Sequence, residues 1–238
     1  MALENSIQII GLNGSPHFKG NTATLMSWVL KGCEEAGAKV EWINLKDYNI
    51  KYCQGCHTCL RTGECAIKED DFIKILERLK SSDGIVVGSP VYADGPTALL
   101  KTLMDRFTLL NLFVGIFEKQ YTVGVSTSGF APNKKLAKKI AMVMGHKIGV
   151  IGVKTSSIKN GYQSLKDLKK DRLNRKAHDL GRKLVSSICL NKKPYSFMYW
   201  WINFLRKHLI KRVIKNNPEQ FSGILPIWQQ KGWLKPEK

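Results

Sequence analysis

Short apolar runs alternate with longer amphipathic stretches over the first two thirds of the chain. The apolar runs predict five strands, at residues 7–12, 40–45, 85–88, 121–126 and 148–153. Helical spacing between them predicts helices over residues 22–36, 97–110 and 133–144, and another beginning at Asp70 and Asp71. Alternating strands and helices imply right-handed crossovers, so the pattern predicts a doubly wound α/β domain around a five-stranded parallel sheet.

Three loops directly follow the carboxyl ends of these predicted strands, at residues 13–22, 89–96 and 126–132. All three are rich in Gly, Ser, Thr or Pro. Ligands of doubly wound sheets bind outside the carboxyl ends of the strands, so we expect a ligand site where these loops meet.

The first of these loops has the composition of an anion-binding turn. Residues 14–22 read GSPHFKGNT and connect a strand to the start of a helix, where unpaired N–H groups and the helix dipole attract anions. Ser15, Asn21 and Thr22 add side-chain donors. Asn21 stands where a Walker A loop has its lysine, and no Gly-x-Gly-x-x-Gly turn is present, so a triphosphate or dinucleotide fits poorly. The alternative is a tight turn in which Asn21 or Thr22 caps the helix.

Four cysteines follow one another within thirteen residues. Cys53, Cys56 and Cys59 are separated by two residues each, and Cys65 follows after five more. Soft thiolate ligands suit iron-sulfur and zinc sites, and a single run favours a cubane, since structural zinc sites join two separated pairs. The alternatives are a zinc knuckle, a redox-active thiol set, and a run that binds no metal. His57 is expected to be a neighbour of the site.

Three segments together resemble a known family. Gly-Ser-Pro at 14–16 with Gly-Asn-Thr at 20–22, Gly-Ser-Pro-Val-Tyr at 88–92, and Leu-Lys at 100–101 with Asp-Arg at 105–106 resemble the flavodoxin-like NAD(P)H-dependent FMN reductases over roughly residues 6–155. With the cysteine run added, the chain resembles the iron-sulfur flavoprotein branch of that family.

The resemblance implies an NAD(P)H-dependent flavin oxidoreductase with a flavodoxin-like fold, FMN, a [4Fe-4S] cluster and a dimeric or tetrameric assembly. It implies that FMN contacts Ser15, Asn21, Thr22, Ala23, Pro90, Val91, Tyr92, Ser126, Thr127, Ser128 and Gly129. It implies that the cluster ligands are Cys53, Cys56, Cys59 and Cys65. No side chain is predicted to act as an acid or base, and Lys101 with Asp105 is expected to be an ion pair at the surface or at a subunit interface.

The formal net charge of +19 is confined to the second half of the chain. Residues 1–125 contain 13 Lys and Arg against 14 Asp and Glu, whereas residues 126–238 contain 25 against 5. Such a surface attracts anions, so an acidic electron carrier such as a ferredoxin, the 2′-phosphate of NADPH and an anionic membrane surface are all candidate partners. No nucleic-acid recognition motif accompanies the charge, so nucleic acid is disfavoured.

The end of the chain differs in composition from the rest. We predict a FMN-binding domain over residues 1–190, with a cysteine-rich insertion at 48–67 and a long basic helix over 164–190, followed by a basic, aromatic-rich extension over 191–238. Within the extension, residues 198–215 predict an amphipathic helix whose apolar face is Ile202, Leu205, Leu209 and Val213. We expect this face to pack on the body or another subunit, with a membrane surface as the alternative.

Further expectations concern single residues and the compartment. Trp228 and Trp233 are expected in an irregular segment folded back on the protein, and the isolated Cys33 and Cys189 are expected to be buried. The N-terminus has no basic residue before its apolar run, and no apolar stretch reaches the roughly 18 residues of a membrane helix. We therefore expect a cytoplasmic protein with reduced cysteines.

The predicted function is FMN-dependent electron transfer between NAD(P)H or a ferredoxin-like carrier and an acceptor, with an iron-sulfur cluster passing single electrons. A cluster-free NAD(P)H-dependent FMN or quinone reductase is the first alternative. The second is a non-catalytic flavoprotein that binds anionic membrane or nucleic acid through its basic half.

Overall fold

A five-stranded parallel sheet forms the centre of the protein in the computed structural model, which describes residues 6–157, 161–165, 171–193 and 197–234. The strands are β1 (Gln8–Asn13), β2 (Lys39–Asn44), β3 (Gly84–Pro90), β4 (Tyr121–Ser128) and β5 (His146–Lys154). Their order is β2-β1-β3-β4-β5, and every neighbouring pair is parallel. The doubly wound sheet predicted from the sequence is confirmed. Because the chain reverses direction across the sheet after β2, a crevice opens between the loops that follow β1 and β3.

Helices cover both faces of this sheet. They are α1 (Asn21–Glu35), α2 (Thr58–Thr62), α3 (Phe72–Ser81), α4 (Ala98–Val114), α5 (Lys134–Val143) and α6 (Asp171–Cys189). Apolar residues of α3, α4 and α5 form one core with the sheet, and those of α1 and α6 form the other. The strands β3 and β4 are buried along almost their whole length, which explains why their sequences are continuous apolar runs.

The basic helix predicted over residues 164–190 begins later than expected. Residues 166–170 lie outside the described residues, and residues 163–165 form no helix but return to the start of α1. There the Asn21 side chain donates to the Gln163 carbonyl (2.9 Å) and accepts the Leu165 N–H (2.8 Å). A short antiparallel pair, β6 (Ser156–Ser157) and β7 (Gly161–Tyr162), precedes this turn.

The helices α1 and α6 approach each other backbone to backbone. A Cβ atom at Gly32 would overlap the His178 backbone, and one at Gly181 would overlap the Val29 carbonyl. Cys33 is fully buried at this contact, as expected, and its burial raises the pKa of the thiol to about 12. The expected burial of Cys189 is wrong: it is exposed, because it falls outside the helical stripe that α6 buries.

The C-terminal extension is helical and forms a small core together with residues of α2 and α4. It contains α7 (Phe197–Leu205), a π-helical turn (Arg206–Ile210), α8 (Lys211–Asn216), a 3₁₀ turn (Pro218–Phe221) and α9 (Leu225–Gln230). This small core consists of Leu60, Val114, Ile210, Ile214, Phe221, Ile224, Trp228 and Leu234. Trp228 is fully buried within α9, whereas an irregular segment was predicted, and its indole N–H donates to the Phe113 carbonyl (2.9 Å). Among the described residues, no helix is long and apolar enough to cross a membrane.

The predicted apolar face of the extension is correct in its first half, where Ile202 and Leu205 are partly buried, and wrong in its second half. Leu209 and Val213 are 58% and 39% exposed, while Ile210 and Ile214 are buried instead. The π-helical turn adds a residue to one turn of the helix and so rotates the following residues relative to an α-helix. Arg206 also lies on the buried side, where it pairs with Glu118 (2.7 Å) and donates to carbonyls at the end of α4.

We predict that acid weakens the fold through His146 at the start of β5. Burial lowers the pKa of His146 below its ordinary 6.5, although a bond to the Glu118 carbonyl opposes the shift. The unfolded chain takes up a proton near pH 6.5 and the folded chain resists it, so this stabilisation is complete above pH 6.5 and is lost as the pH falls. Urea titrations from about pH 8 to about pH 5 should show the free energy of unfolding falling by up to about 1.4 kcal/mol per pH unit. His146→Gln should flatten that slope, and an equal slope in both proteins would contradict the prediction.

Candidate functional site

A cavity of about 370 Å³ opens above the carboxyl ends of the central strands. Loops after β1, β3, β4 and β5 form its walls, which is the switch-point position expected of a ligand site. Its lining consists of Ser15, His17, Gly20, Asn21, Thr22, Pro90, Val91, Tyr92, Thr127, Ser128, Gly129 and Thr155.

The start of α1 presents backbone donors to this cavity. Its N-cap is Gly20, so no side chain caps the first turn, whereas Thr97 caps α4 and Asn133 caps α5 with side-chain oxygens. The first N–H groups of a helix lack partners within the helix, so an anion with several acceptor oxygens fits here. The alternative in which Asn21 or Thr22 is the cap is therefore wrong.

Hydrogen bonds within the first loop fix its shape. The Ser15 N–H donates to the Asn13 side chain (3.0 Å), the His17 N–H donates to the Ser15 hydroxyl (3.1 Å), and the Gly20 N–H donates to the His17 carbonyl (3.0 Å). The Thr22 and Thr127 hydroxyls lie 2.7 Å apart and join the first turn of α1 to the end of β4. The polar end of the cavity is thus largely preformed.

The opposite wall is apolar and held by a strained turn. The Val91 N–H donates to the Thr127 carbonyl (2.9 Å), and Tyr92 pairs with Gly95 through two backbone hydrogen bonds (3.0 and 2.9 Å). Between Tyr92 and Gly95, the residues Ala93 and Asp94 both have positive φ angles, 46° and 58°, which non-glycine residues rarely adopt. The turn holds the half-exposed Tyr92 ring at the edge of the cavity, where it offers a flat wall to a planar ligand.

Nine of the eleven residues predicted to contact FMN line this cavity. The two exceptions are Ala23, which is buried in the first turn of α1, and Ser126, which is fully buried and donates to the Asn133 carbonyl (2.6 Å). Sequence reasoning missed His17, Gly20 and Thr155. Thr155 could have been found, because it follows the carboxyl end of β5 at the same edge of the sheet.

A second, more open hollow of about 580 Å³ adjoins the cavity. The two share Val91 and Ser128, so a molecule in the hollow would lie next to one in the cavity. Phe130, which is 89% exposed, lines the hollow, and its charged lining residues are Lys134, Lys135 and Asp94, two basic against one acidic. Its size and charge suit a second, anionic reactant.

The cysteine-rich segment begins after β2 and is closed at its base. Asn49 donates its N–H to the Asp71 carboxylate (2.8 Å) and accepts the Asp71 N–H (2.9 Å), while the Lys51 N–H donates to the Asp70 carboxylate (2.8 Å). Both ends of the segment are therefore held together next to the start of α3.

Arg106 of α4 lies at the same base, and sequence reasoning gave it no role. Its buried guanidinium pairs with Asp70 and donates to the carbonyls of Ile67 (2.9 Å) and Lys51 (3.3 Å). It also donates to the Cys65 sulfur (3.2 Å). Burial alone would raise the pKa of Asp70, but hydrogen bonds from the Lys51 N–H and Arg106 outweigh it and hold that pKa below its usual value. By contrast, Lys101 and Asp105 form the predicted surface ion pair.

The four cysteines of this segment are all free thiols. Cys53 and Cys56 are exposed, and Cys59 and Cys65 are half-buried. Burial raises the pKa of Cys59, and the charges of the other three cysteines raise it further. Positive φ angles at Gly55, His57 and Gly63 (65°, 57° and 78°) wrap the backbone tightly.

The donor set of the segment fits a cluster, although the thiols are not gathered around one point. In the part of the chain that the structure describes, no three His, Cys, Asp or Glu side chains are arranged to hold a metal ion. Four thiolates are nevertheless the ligands that a cubane requires. In addition, the buried Arg106 Nε–H has no acceptor among the described residues, and it belongs to the guanidinium that contacts Cys65. A sulfur-rich group at this place would supply acceptors.

The C-terminal extension packs directly against the cysteine-rich segment. The backbones at Gly63 and Gly223 meet so closely that a Cβ on Gly223 would overlap Thr62 and Gly63. The Ser222 hydroxyl donates to the Arg61 carbonyl (3.1 Å), and Cys59 packs against the small core of the extension. The segment is thus held between Arg106 on one side and the extension on the other.

The sequence matches a known family over its first two thirds. A profile described as NADPH-dependent FMN reductase matches residues 7–163. An iron-sulfur flavoprotein of Methanocaldococcus jannaschii is 40% identical over 126 residues, which cover 52% of this chain and 65% of that protein. An iron-sulfur flavoprotein of Clostridioides difficile is 26% identical over 230 residues, which cover 93% of this chain and 97% of that protein. The chain thus spans less than two thirds of the archaeal relative, and its match to the clostridial relative reaches into the extension.

Solved structures share the fold. A flavone reductase superposes with a TM-score of 0.57 at 20% identity, covering 80% of this chain and 66% of that chain. The apo form of an NADH:FMN oxidoreductase superposes with a TM-score of 0.50 at 16% identity, covering 81% of this chain and 93% of that chain. The predicted flavodoxin-like fold is confirmed.

Proposed function

Because the chain belongs to the NADPH-dependent FMN reductase family, we propose that it is an oxidoreductase that binds FMN in the cavity above the central strands. The observation that carries the proposal is the pairing of an uncapped helix start with an apolar, aromatic wall across one cavity. A flavin mononucleotide has the matching parts, a dianionic phosphate and a flat ring with a polar rim.

The residues of the cavity divide between the two parts of this ligand. The first turn of α1 and the loop around Ser15 would bind the phosphate, with Asn21 and Thr22 beside it. Val91 and Tyr92 would lie against the ring, and the loop around Gly129 would border its other edge. When bound, FMN supplies the ability to take up a hydride or two single electrons, and a [4Fe-4S] cluster passes electrons one at a time.

We propose further that Cys53, Cys56, Cys59 and Cys65 ligate a [4Fe-4S] cluster. The single run of four thiols, the closed base of the segment and the names of the matching relatives support this. The open hollow beside Val91 is where we place NAD(P)H or the electron acceptor, because it adjoins the ring site and has Lys134 and Lys135 at its side. A ferredoxin-like acidic carrier and a homo-oligomeric assembly belong to the same proposal.

A cluster-free FMN or quinone reductase is the second candidate. It is favoured by the described cysteines not being gathered around a common point. In that case the cavity and the hollow would carry the reaction alone, and the cysteines would be dispensable for flavin reduction.

The test of the flavin site is the absorption spectrum of protein purified under anaerobic conditions. We expect flavin bands that survive gel filtration, and release of FMN on denaturation. Protein that is colourless, and stays so after incubation with FMN and gel filtration, would overturn the proposal.

For the cluster, we predict that Cys59→Ser loses bound iron and acid-labile sulfide but keeps FMN, because Cys59 lies outside the flavin cavity. The matched control is Cys189→Ser, which changes an isolated, exposed cysteine and should leave iron, sulfide and FMN unchanged. Wild-type protein that holds FMN but, after anaerobic reconstitution, neither iron nor sulfide would decide for the cluster-free reductase.

A further inference from the structure

We propose that Arg106 is a positioning residue for the iron-sulfur cluster: it fixes Cys65 and raises the reduction potential of the cluster. The inference rests on the proposed ligation by the cysteine run. It concerns a residue on α4, which follows the run in sequence after α3 and β3.

The geometry ties the ligand sulfur to the backbone beside it. One terminal nitrogen of Arg106 donates both to the Cys65 sulfur (3.2 Å) and to the Ile67 carbonyl (2.9 Å), two residues further along the chain. The other terminal nitrogen pairs with Asp70 and donates to the Lys51 carbonyl, on the opposite end of the segment. The planar fork of arginine makes these contacts at once, which a lysine ammonium on its flexible stem cannot reproduce.

The surroundings make this hydrogen bond effective. The Arg106 side chain has no exposed surface, and the ring of Phe72 lies 4.1 Å from its guanidinium carbon, so water does not screen the charge. A reduced cluster carries one more negative charge than an oxidised one. A buried N–H donor on a ligand sulfur therefore favours the reduced form and raises the potential.

Arg206 provides a matched control within the same chain. It is also buried, also pairs with a carboxylate, Glu118, and also donates to two backbone carbonyls, those of Asn111 and Leu112. Its guanidinium contacts an aromatic ring as well, that of Trp233 at 5.4 Å. These contacts lie at the end of α4 and not on a cysteine of the run. A loss of stability alone should therefore affect both arginine variants, whereas a change of potential should follow Arg106 only.

The experiment compares Arg106→Met, Arg106→Lys and Arg206→Met with the wild type. Each is purified anaerobically, its iron, sulfide and FMN are measured, and its cluster is titrated by EPR-monitored redox potentiometry. For Arg106→Met we expect the ratio of reduced to oxidised cluster at a fixed applied potential to fall about tenfold. For a one-electron couple this corresponds to a reduction potential lower by about 59 mV. Arg106→Lys keeps the positive charge but lacks the planar guanidinium. Its cluster should have a potential between those of the wild type and Arg106→Met, and an altered EPR line shape.

The outcomes separate the two levels of the proposal. Wild-type protein without a cluster overturns the proposed ligation, whatever the variants do. With a cluster in the wild type, an unchanged potential in Arg106→Met, or an equal shift in Arg206→Met, overturns the role of Arg106. Should Arg106→Met not retain a cluster, Arg106→Lys decides: a lowered potential supports the role, and a wild-type potential and line shape overturn it.

Discussion

Gly181→Val is expected to destabilise the body of the protein strongly and to reduce FMN retention with it. At the α1–α6 contact a side chain on Gly181 would overlap the backbone of α1, which cannot move aside as a flexible side chain would. Overpacking costs about 1–3 kcal/mol even where side chains can adjust, and rigid backbone places this substitution at or above the upper end. That is a large fraction of the roughly 5–15 kcal/mol that stabilises a typical domain. Circular dichroism melting and flavin retention on gel filtration measure both effects.

The control for this substitution is Ser186→Val on the same helix. Ser186 is exposed, so the same side chain there should cost well under about 1 kcal/mol, the size of helix propensity differences. If Gly181→Val melted within a few degrees of Ser186→Val and kept its flavin, the close approach of the two helices would not exist in solution.

Gly223→Val is expected to abolish binding of the proposed iron-sulfur cluster and to leave FMN binding in place. A Cβ at Gly223 would overlap the backbone of Thr62 and Gly63, so the extension must lift from the cysteine-rich segment. Lifting exposes the small core that contains Trp228, at a cost of about 3 kcal/mol or more for a tryptophan moved out of a core. We expect a red shift of tryptophan fluorescence and loss of iron and sulfide, with FMN content unchanged because the cavity lies on other loops.

Ser222→Ala is the neighbouring control for Gly223→Val. It removes the hydroxyl bond to the Arg61 carbonyl and adds no atoms, so it should cost about 1 kcal/mol and keep the cluster. Full iron content and unchanged fluorescence in Gly223→Val would show that the extension does not support the cysteine-rich segment.

The sheet and most of the cavity followed from the sequence because their signals are local. Buried parallel strands are continuous apolar runs, and the loops after them must share one edge of the sheet. Ser126 shows the limit of this reasoning. It belongs to the same polar stretch as Thr127, yet it lies within β4 and its side chain is fully buried. Two residues that are adjacent in sequence can therefore differ in whether they reach the cavity.

Features that depend on contacts between distant residues could not be predicted. The guanidinium of Arg106 meets Lys51, Cys65 and Asp70, and nothing in the sequence around Arg106 indicates those partners. The π-helical turn likewise has no pattern of its own, but it decides that Ile210 and Ile214 are buried instead of Leu209 and Val213. Tertiary packing fixed both outcomes.

The hydrogen bonds between Asn49 and Asp71 and between Lys51 and Asp70 have a consequence for assembly of the proposed iron-sulfur cluster. They are made by backbone and carboxylate groups alone, so the loop is tethered at its neck in the metal-free polypeptide too. The entropic cost of bringing the two ends of the loop together is therefore met when the chain folds, and it does not weaken the binding of iron. Iron and sulfide entering the proposed site would need only to order the tethered stretch, and we expect protein that lacks them to remain folded.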